Sequence, residues 1–190
     1  MFDKIKIDTD RLVIRSFAHS DALSMHRVLN DQKVLKYLNY EPMSIETVQN
    51  NVNFLIKSYS KNVHKKIVQQ SMAVILKKTE KLIGWTGIGE LEYDPSQIEI
   101  YYTIISDYWN KGYASEAATA VLEFAFCKVK IDNVVALINP ENIASKRVIE
   151  KIGLNYIGNE KNVPEEHSFY KDFKKYSLNI EQYKKMKRLI

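Results

Sequence analysis

Cysteine is almost absent from this 190-residue chain: Cys127 stands alone, so neither an intrachain disulfide nor a cysteine metal cluster can form. Histidine is scarce too, and His19, His26, His64 and His167 share no metal-ligand spacing, so no metal is expected. No apolar run reaches the roughly 18 residues that a membrane span needs. The opening Met1-Phe2-Asp3-Lys4-Ile5-Lys6 lacks the apolar stretch of a secretory signal. The expectation is a cytoplasmic protein with no membrane partner. With only six glycines and four prolines, no flexible linker, repeat or low-complexity block divides the chain. The phosphate-binding patterns GxxxxGK[ST] and GxGxxG are both missing.

What is present suits one domain. Hydrophobic residues make up 45% of the chain, enough to fill a core, and charged residues 27%, an ordinary solvated surface. The net charge of +5 gathers in two patches. One is Lys57, Lys61, Lys65 and Lys66; the other is Lys171, Lys174, Lys175, Lys184, Lys185, Lys187 and Arg188. A lysine-rich solvated face accounts for both, and no aromatics interleave with them as in an RNA-binding signature. No direct nucleic-acid partner is expected. A single domain is expected over residues 1–180, with a basic tail or helical extension over 181–190, in a monomer or homodimer.

The periodicities alternate between sheet and helix. Arg11-Leu12-Val13-Ile14-Arg15-Ser16-Phe17 reads as a first strand, and Ser20 and Asp21 offer an N-cap to a helix from Ala22. Ser44 opens a second helix whose Val48, Val52, Leu55, Ile56 and Tyr59 keep a period near 3.6. Three strands follow, with turns at Lys77-Lys78-Thr79-Glu80-Lys81 and at Asp94-Pro95-Ser96; Gly84 and Gly87 hint at bulges or close backbone approach. Residues 115–126 form a helix, 134–138 a buried strand, and Asn142 caps a helix that Gly153 stops. Two strands, around Tyr156 and over 169–178, complete a mixed α/β domain.

The stretch between the third of those strands and the helix at Ser115 carries the chemistry: Tyr108-Trp109-Asn110-Lys111-Gly112-Tyr113-Ala114-Ser115-Glu116-Ala117. A strand, a tight turn with small residues and a helix N-terminus aim successive amides into one concavity, which favours an anion. A simple helix-capping turn would use the same residues.

These residues resemble the pyrophosphate loop of the GNAT N-acetyltransferase superfamily, Q/R-x-x-G-x-G/A, in its W-G-K-G-Y-A-T-E-A form. Asn142-Ile143-Ala144-Ser145-Lys146-Arg147-Val148-Ile149-Glu150-Lys151-Ile152-Gly153-Leu154 is similar to the family's N-x-A-S-x-x-V-L-E-K-L-G-F helix. Glu99-Ile100-Tyr101-Tyr102 resembles its E-I-G-Y strand. Thr9-Asp10-Arg11-Leu12-Val13-Ile14-Arg15 and Asp172-Phe173-Lys174-Lys175-Tyr176-Ser177-Leu178 resemble the start and end of the ribosomal-protein acetyltransferase branch, so five motifs in order span residues 9 to 178.

The resemblance implies a GNAT fold: a mostly antiparallel mixed sheet of about seven strands, splayed at its centre and flanked by about four helices. It implies acetyl-CoA as donor and a primary amine as acceptor, either a ribosomal-protein or peptide N-terminus or a small molecule. A non-catalytic CoA-binding module is the alternative. The cofactor would lie against Trp109, Asn110, Lys111, Gly112, Tyr113, Ala114 and Ser115. Thr103, Ile104 and Ile105 would pair with its pantetheine arm, Asn142 would bond the arm's amides, and Arg147 or Lys146 would lie near the phosphates. Glu99 is the candidate base, with a merely structural carboxylate as the other account. The tyrosine that many relatives carry seven residues after the asparagine is Ile149 here, which rules out a phenol acid at that position. Ser145 matches the branch's serine near the thioester, and Tyr170 or His167 is a further candidate donor. Tyr37, Tyr40 and residues 60–70 fall where the family builds its acceptor wall; core packing and loop anchoring account for them equally well. Cys127 is read as a packed or half-buried structural thiol.

Overall fold

The computed structural model describes residues 2–188; Met1 and the last two residues of the expected tail, Leu189 and Ile190, lie outside the described residues. The strands are β1 (Lys6–Asp8), β2 (Leu12–Ser16), β3 (Gln69–Leu76), β4 (Lys81–Leu91), β5 (Asp94–Ile104), β6 (Asn133–Ile138), β7 (Asn155–Asn159) and β8 (Lys174–Asn179). They form one sheet in the order β1-β2-β3-β4-β5-β6-β8-β7. The helices are α1 (Ala22–Leu29), α2 (Gln32–Leu35), α3 (Ile45–Ser58), α4 (Tyr113–Glu123), α5 (Ile143–Lys151) and α6 (Ile180–Arg188). None is long and apolar enough to cross a membrane.

The extra strand is β1, three residues whose own pattern is too short to declare a strand. It exists because Ile7 pairs with Ile14 of β2 and the amide of Ser16 donates to the Ile5 carbonyl at 3.0 Å. The turn expected at Asp94-Pro95-Ser96 falls two residues earlier, at Glu92 and Tyr93. Asp94 already pairs with Leu91, and its carboxylate accepts from the Ser96 amide at 3.2 Å. The last strand starts at Lys174 rather than Phe169, since residues 165–170 wind into 3₁₀ turns.

Local chemistry sets most helix ends. The Ser44 hydroxyl accepts from the Thr47 amide at 3.1 Å, and the Asn142 side chain accepts from the Ser145 amide at 3.0 Å. Asp21, by contrast, does not cap α1 with its side chain. Its buried carboxylate takes both arms of the Arg15 guanidinium, at 2.7 and 2.8 Å, and the Ala18 amide at 2.8 Å. α4 runs into a π-helical segment, Phe124–Val129, which ends in the left-handed Lys130. Cys127 sits there exposed, not packed as its neighbours in the sequence implied. A π turn carries more residues per turn than an α-helix and shifts the phase of the side chains that follow.

Each face of the sheet has its own core. On one face Ile14, Met72, Val74, Ile88, Ile100 and Ile104 pack against Ala117, Val121 and Leu122 of α4 and Ile149 of α5. Tyr183 of α6 joins this core by stacking on Phe126, with ring centroids 4.8 Å apart. On the other face Ala73 and Trp85 meet Val28 and Leu29 of α1 and Val48 and Val52 of α3. Alternation along β5 therefore divides its residues. Ile100, Tyr102 and Ile104 look to the α4–α5 side, whereas Glu99 and Tyr101 look to the α1–α3 side.

Gly84 of β4 lies so close to β5 that a Cβ there would come 2.0 Å from the Thr103 carbonyl oxygen. Backbone cannot rotate away as a side chain can. Gly84→Ala is expected to destabilise the fold by about 3 kcal/mol, which for a chain of this size lowers Tm by roughly 6–12 °C. Thermal unfolding followed by circular dichroism checks this.

Candidate active site at the fork of the sheet

Among the described residues β5 and β6 are the one parallel pair, and they touch at a single register position, Glu99 opposite Val135. Beyond it β6 continues fully paired with β8 on its other side, from Asn133↔Asn179 to Ile138↔Lys174. β5 meanwhile runs on beside β4. The sheet thus forks immediately past Glu99. Such a fork leaves backbone donors and acceptors along one strand edge without a neighbouring strand, which an extended amide-bearing ligand can use as an added strand would.

Of the three residues assigned to that edge, Ile105 directs its amide to β4, where it donates to the Ile83 carbonyl at 2.9 Å. Ile104 is its neighbour, and alternation turns Ile104's backbone toward the fork. The Ile104 carbonyl accepts from the indole Nε1 of Trp109 at 2.6 Å. Trp109 thereby ties the turn after β5 to the strand it leaves. Thr103 pairs with Trp85 of β4.

The turn leads into α4. Asn110 and Gly112 both have positive φ, +61° and +80°, and Gly112 occupies the N-cap position without a side chain to cap the helix. Glu116 is the first residue of α4 to bond back, its amide donating to the Gly112 carbonyl at 3.0 Å. The amides of Tyr113, Ala114 and Ser115 thus have no intrahelical acceptor, and the helix dipole adds partial positive charge at the same place. Lys111 folds back to donate to the Asp107 carbonyl at 2.8 Å and lies 5.1 Å from the Tyr108 ring centre.

Two residues that sequence reasoning left without a role brace this turn from the far end of the chain. The Arg11 guanidinium pairs with Glu116 at 2.7 Å, donates to the Lys111 carbonyl at 2.9 Å, and lies 4.6 Å over the Tyr113 ring. The Thr9 hydroxyl donates to the other Glu116 oxygen at 2.6 Å. Burial alone would raise the Glu116 carboxyl. The hydrogen bonds from Thr9 and from the Arg11 amide and guanidinium outweigh it and hold the group below its ordinary value. The signal for this brace was the Thr9-Asp10-Arg11 motif, which gave no hint of its partner 105 residues away. Arg11→Ala is expected to raise KM for the ligand seated at this turn about five-fold while leaving kcat nearly unchanged, because it loosens the turn rather than the reacting atoms. Initial-rate kinetics with the concentration of that ligand varied checks this.

Glu99 faces the α1–α3 side at the fork. Burial pushes its carboxyl up to about 7; a hydrogen bond from the Leu137 amide opposes the shift, and the nearby charge of Glu92 adds to it. No basic side chain contributes to that shift. Tyr170 is brought to the same side, its hydroxyl donating to Glu92 at 2.9 Å, and His167 Nδ1 lies 3.9 Å from the other oxygen of Glu92. Burial first, then the Glu92 charge, raises the Tyr170 phenol far above its ordinary value. Burial first, then the charges of Glu92 and Glu99, also raises the phenol of the half-exposed Tyr40. Tyr37 lies under Lys36, 5.3 Å from the ammonium to the ring centre. Residues 60–70 serve chiefly as anchorage, where Asn62 accepts from the Val68 amide at 2.9 Å and donates to Gln70 at 2.9 Å.

Ser145 lies on the opposite face of β5, in the first turn of α5. Its hydroxyl is 2.7 Å from that of Tyr102. Asn142 caps the same turn, Arg147 is exposed on α5, and Ile149 is wholly buried in the core.

A mixed sheet forked between parallel strands, with a helix N-terminus that no side chain caps beyond the first of them, defines a class of acyl-CoA-dependent transferases. The model of the acetyltransferase (GNAT) domain matches residues 11–155, and the chain belongs to this family. It is similar to the uncharacterized N-acetyltransferase YnaD of Bacillus subtilis, 35% identical over 80% of this chain and 84% of that protein. Among solved structures it resembles a GNAT-family acetyltransferase from Bacillus anthracis, 31% identical over 93% of this chain and 99% of the other, with a TM-score of 0.76. A ribosomal alpha-N-protein acetyltransferase, RimL, solved in complex with coenzyme A, shares the fold at 17% identity, covering 94% of this chain and 99% of the other with a TM-score of 0.76. The protein is accordingly an N-acetyltransferase of the GNAT family, a family that draws its acetyl group from acetyl-CoA.

Proposed function

We propose that this chain acetylates a primary amine by direct attack in a ternary complex, with Glu99 as general base and Ser145 as hydrogen-bond donor to the leaving sulfur. The observation that carries the reading is Glu99: a carboxylate at the point where the sheet forks, with no basic partner and a pKa raised to about 7. A base poised near neutral pH has the best compromise between being ionised and being strong enough to take a proton.

Acetyl-CoA supplies the acetyl thioester. Its phosphates suit the free amides of Tyr113, Ala114 and Ser115 behind Gly112, with Asn110, Lys111 and Arg147 adding polar and cationic contacts. Its amide-bearing arm suits the fork, where Ile104 presents its backbone and Asn142 a side-chain amide. Thr103 and Ile105 hold that edge straight through β4, and Trp109 secures the turn. Glu99 then takes a proton from the incoming ammonium, and the Ile104 amide stands ready to donate to negative charge that develops on a carbonyl oxygen. Tyr170 positions Glu92 beside Glu99.

Resemblance to the ribosomal-protein branch favours a protein or peptide α-amine as acceptor. One observation favours a small acceptor with two positive charges: Glu92 is a second carboxylate, close enough to raise Glu99, in a setting of Tyr40, Tyr170 and His167. Thiol release from acetyl-CoA across N-terminal peptides, polyamines, aminoglycosides and amino acids tests both. Turnover with peptides alone establishes the first reading and turnover with polyamines alone the second. No turnover with any amine overturns the proposal.

A further inference from the structure

We propose that Tyr102 is a positioning residue for Ser145, orienting the serine hydroxyl so that its proton points to the sulfur of coenzyme A; the inference rests on the role given to Ser145 above. Tyr102 sits on β5, three residues beyond Glu99 and on the opposite face. Its hydroxyl lies 2.7 Å from Ser145 Oγ and 3.0 Å from the Ser145 carbonyl oxygen. One phenol proton cannot serve both partners at full strength. If it goes to the carbonyl, the serine hydroxyl must donate back to the phenol and has nothing to give elsewhere. If it goes to Oγ, the serine accepts from the phenol and its own proton is free to donate outward.

Negative charge arising on a sulfur beside Ser145 favours the second arrangement, because each bond in such a chain polarises the next. Burial, against the pull of Ser145, holds the Tyr102 phenol well above its ordinary pKa, so the group remains protonated and acts only as a donor. No proton leaves Tyr102. The position from which many relatives project a phenol is the buried Ile149, and β5 brings a phenol to the first turn of the same helix instead. Ring packing and hydroxyl are separable here: the Tyr102 ring is packed against the core formed with α4 and α5, and Oη makes the hydrogen bonds to Ser145.

The test compares wild type, Tyr102→Phe, Ser145→Ala and the double variant. Calorimetry at pH 9 with CoA and with desulfo-CoA measures the preference for the sulfur directly, without turnover. Wild type is expected to prefer CoA about ten-fold, the worth of a hydrogen bond to a charged acceptor. Either single variant should lose that preference, and the double should lose no more than one alone. Tyr102→Phe should also lower kcat about ten-fold with KM for acetyl-CoA within two-fold of wild type. A hydroxyl that merely stabilises the fold would lower Tm and leave the sulfur preference intact. The proposal is overturned if Tyr102→Phe keeps the ten-fold preference, if the two substitutions add independently, or if Ser145→Ala alone leaves the preference unchanged. A wild type that binds neither ligand would sink the cofactor reading itself and not only this refinement.

Discussion

Replacing Glu99 by glutamine is expected to slow acetyl transfer about a hundred-fold, the lower end of what a positioned general base contributes. Glutamine keeps the shape of the side chain and can still accept from the Leu137 amide, so what is lost is the capacity to take a proton. Wild-type kcat/KM should fall as pH drops below about 7, because protonated Glu99 cannot serve as base. That limb should vanish in Glu99→Gln, leaving a low rate that depends only on the ionisation of the acceptor.

A second, independent signature follows from linkage. The folded-state pKa of Glu99 is raised above that of an ordinary glutamate, so its contribution to stability is fully present below the unfolded pKa. It is lost as pH rises through the folded value, about 7. At pH 8 the wild type carries an ionised, half-buried carboxylate at a cost that glutamine does not carry. Glu99→Gln should therefore melt higher than wild type at pH 8, with the gap closing toward pH 5. Wild-type activity together with a higher Tm would make Glu99 a structural carboxylate and assign the base to a water chain.

How much of this was readable in the chain depends on how local the cause is. The N-caps at Ser44 and Asn142, the stop at Gly153 and the hairpin between β3 and β4 each rest on residues within four positions of one another. Their signals survive in a single strip of sequence. Gly84 and Gly87 announced close approach, although not that the carbonyls of Thr103 and Gln70 were what approached. The elements that escaped are those made by distant partners. β1 needs β2 to exist, Arg11 needs Glu116, and Tyr102 needs Ser145, 43 residues further on. Alternation along β5 turns Glu99 and Tyr102 to opposite faces, and the helix each one meets comes from distant sequence. Asp31 is a similar case: its carboxylate holds the Ser106 amide at 2.8 Å and fixes the chain as it leaves β5, across 75 residues. Cys127 was misplaced for a different reason: the π turn shifts the phase of the side chains around it and leaves it exposed.

The same logic of local cause makes Gly112→Asp the more decisive variant for the cofactor site. Expected is a loss of at least a hundred-fold in CoA affinity, about 3 kcal/mol, with Tm within a few degrees of wild type. The φ of +80° strains an L-residue, but aspartate is among the side chains that tolerate this region best. Space is available too: a Cβ at residue 112 meets only the Arg11 guanidinium, at 3.3 Å, and an aspartate carboxylate beside that group gains a cation rather than a clash. The added charge is also favourable to the dipole of α4. Everything that favours aspartate for the fold opposes the ligand, since the carboxylate places negative charge beside the amides of Tyr113, Ala114 and Ser115 where a pyrophosphate would lie. Gly112→Ala separates strain from charge, because it meets the same φ with no carboxylate and should cost only a few-fold in affinity. Calorimetric titration of CoA into both variants decides the matter. Equal, modest losses would mean that only the turn's shape matters. Unchanged affinity in Gly112→Asp would move the phosphates away from α4. A loss confined to the aspartate variant would make the free helix N-terminus the phosphate seat.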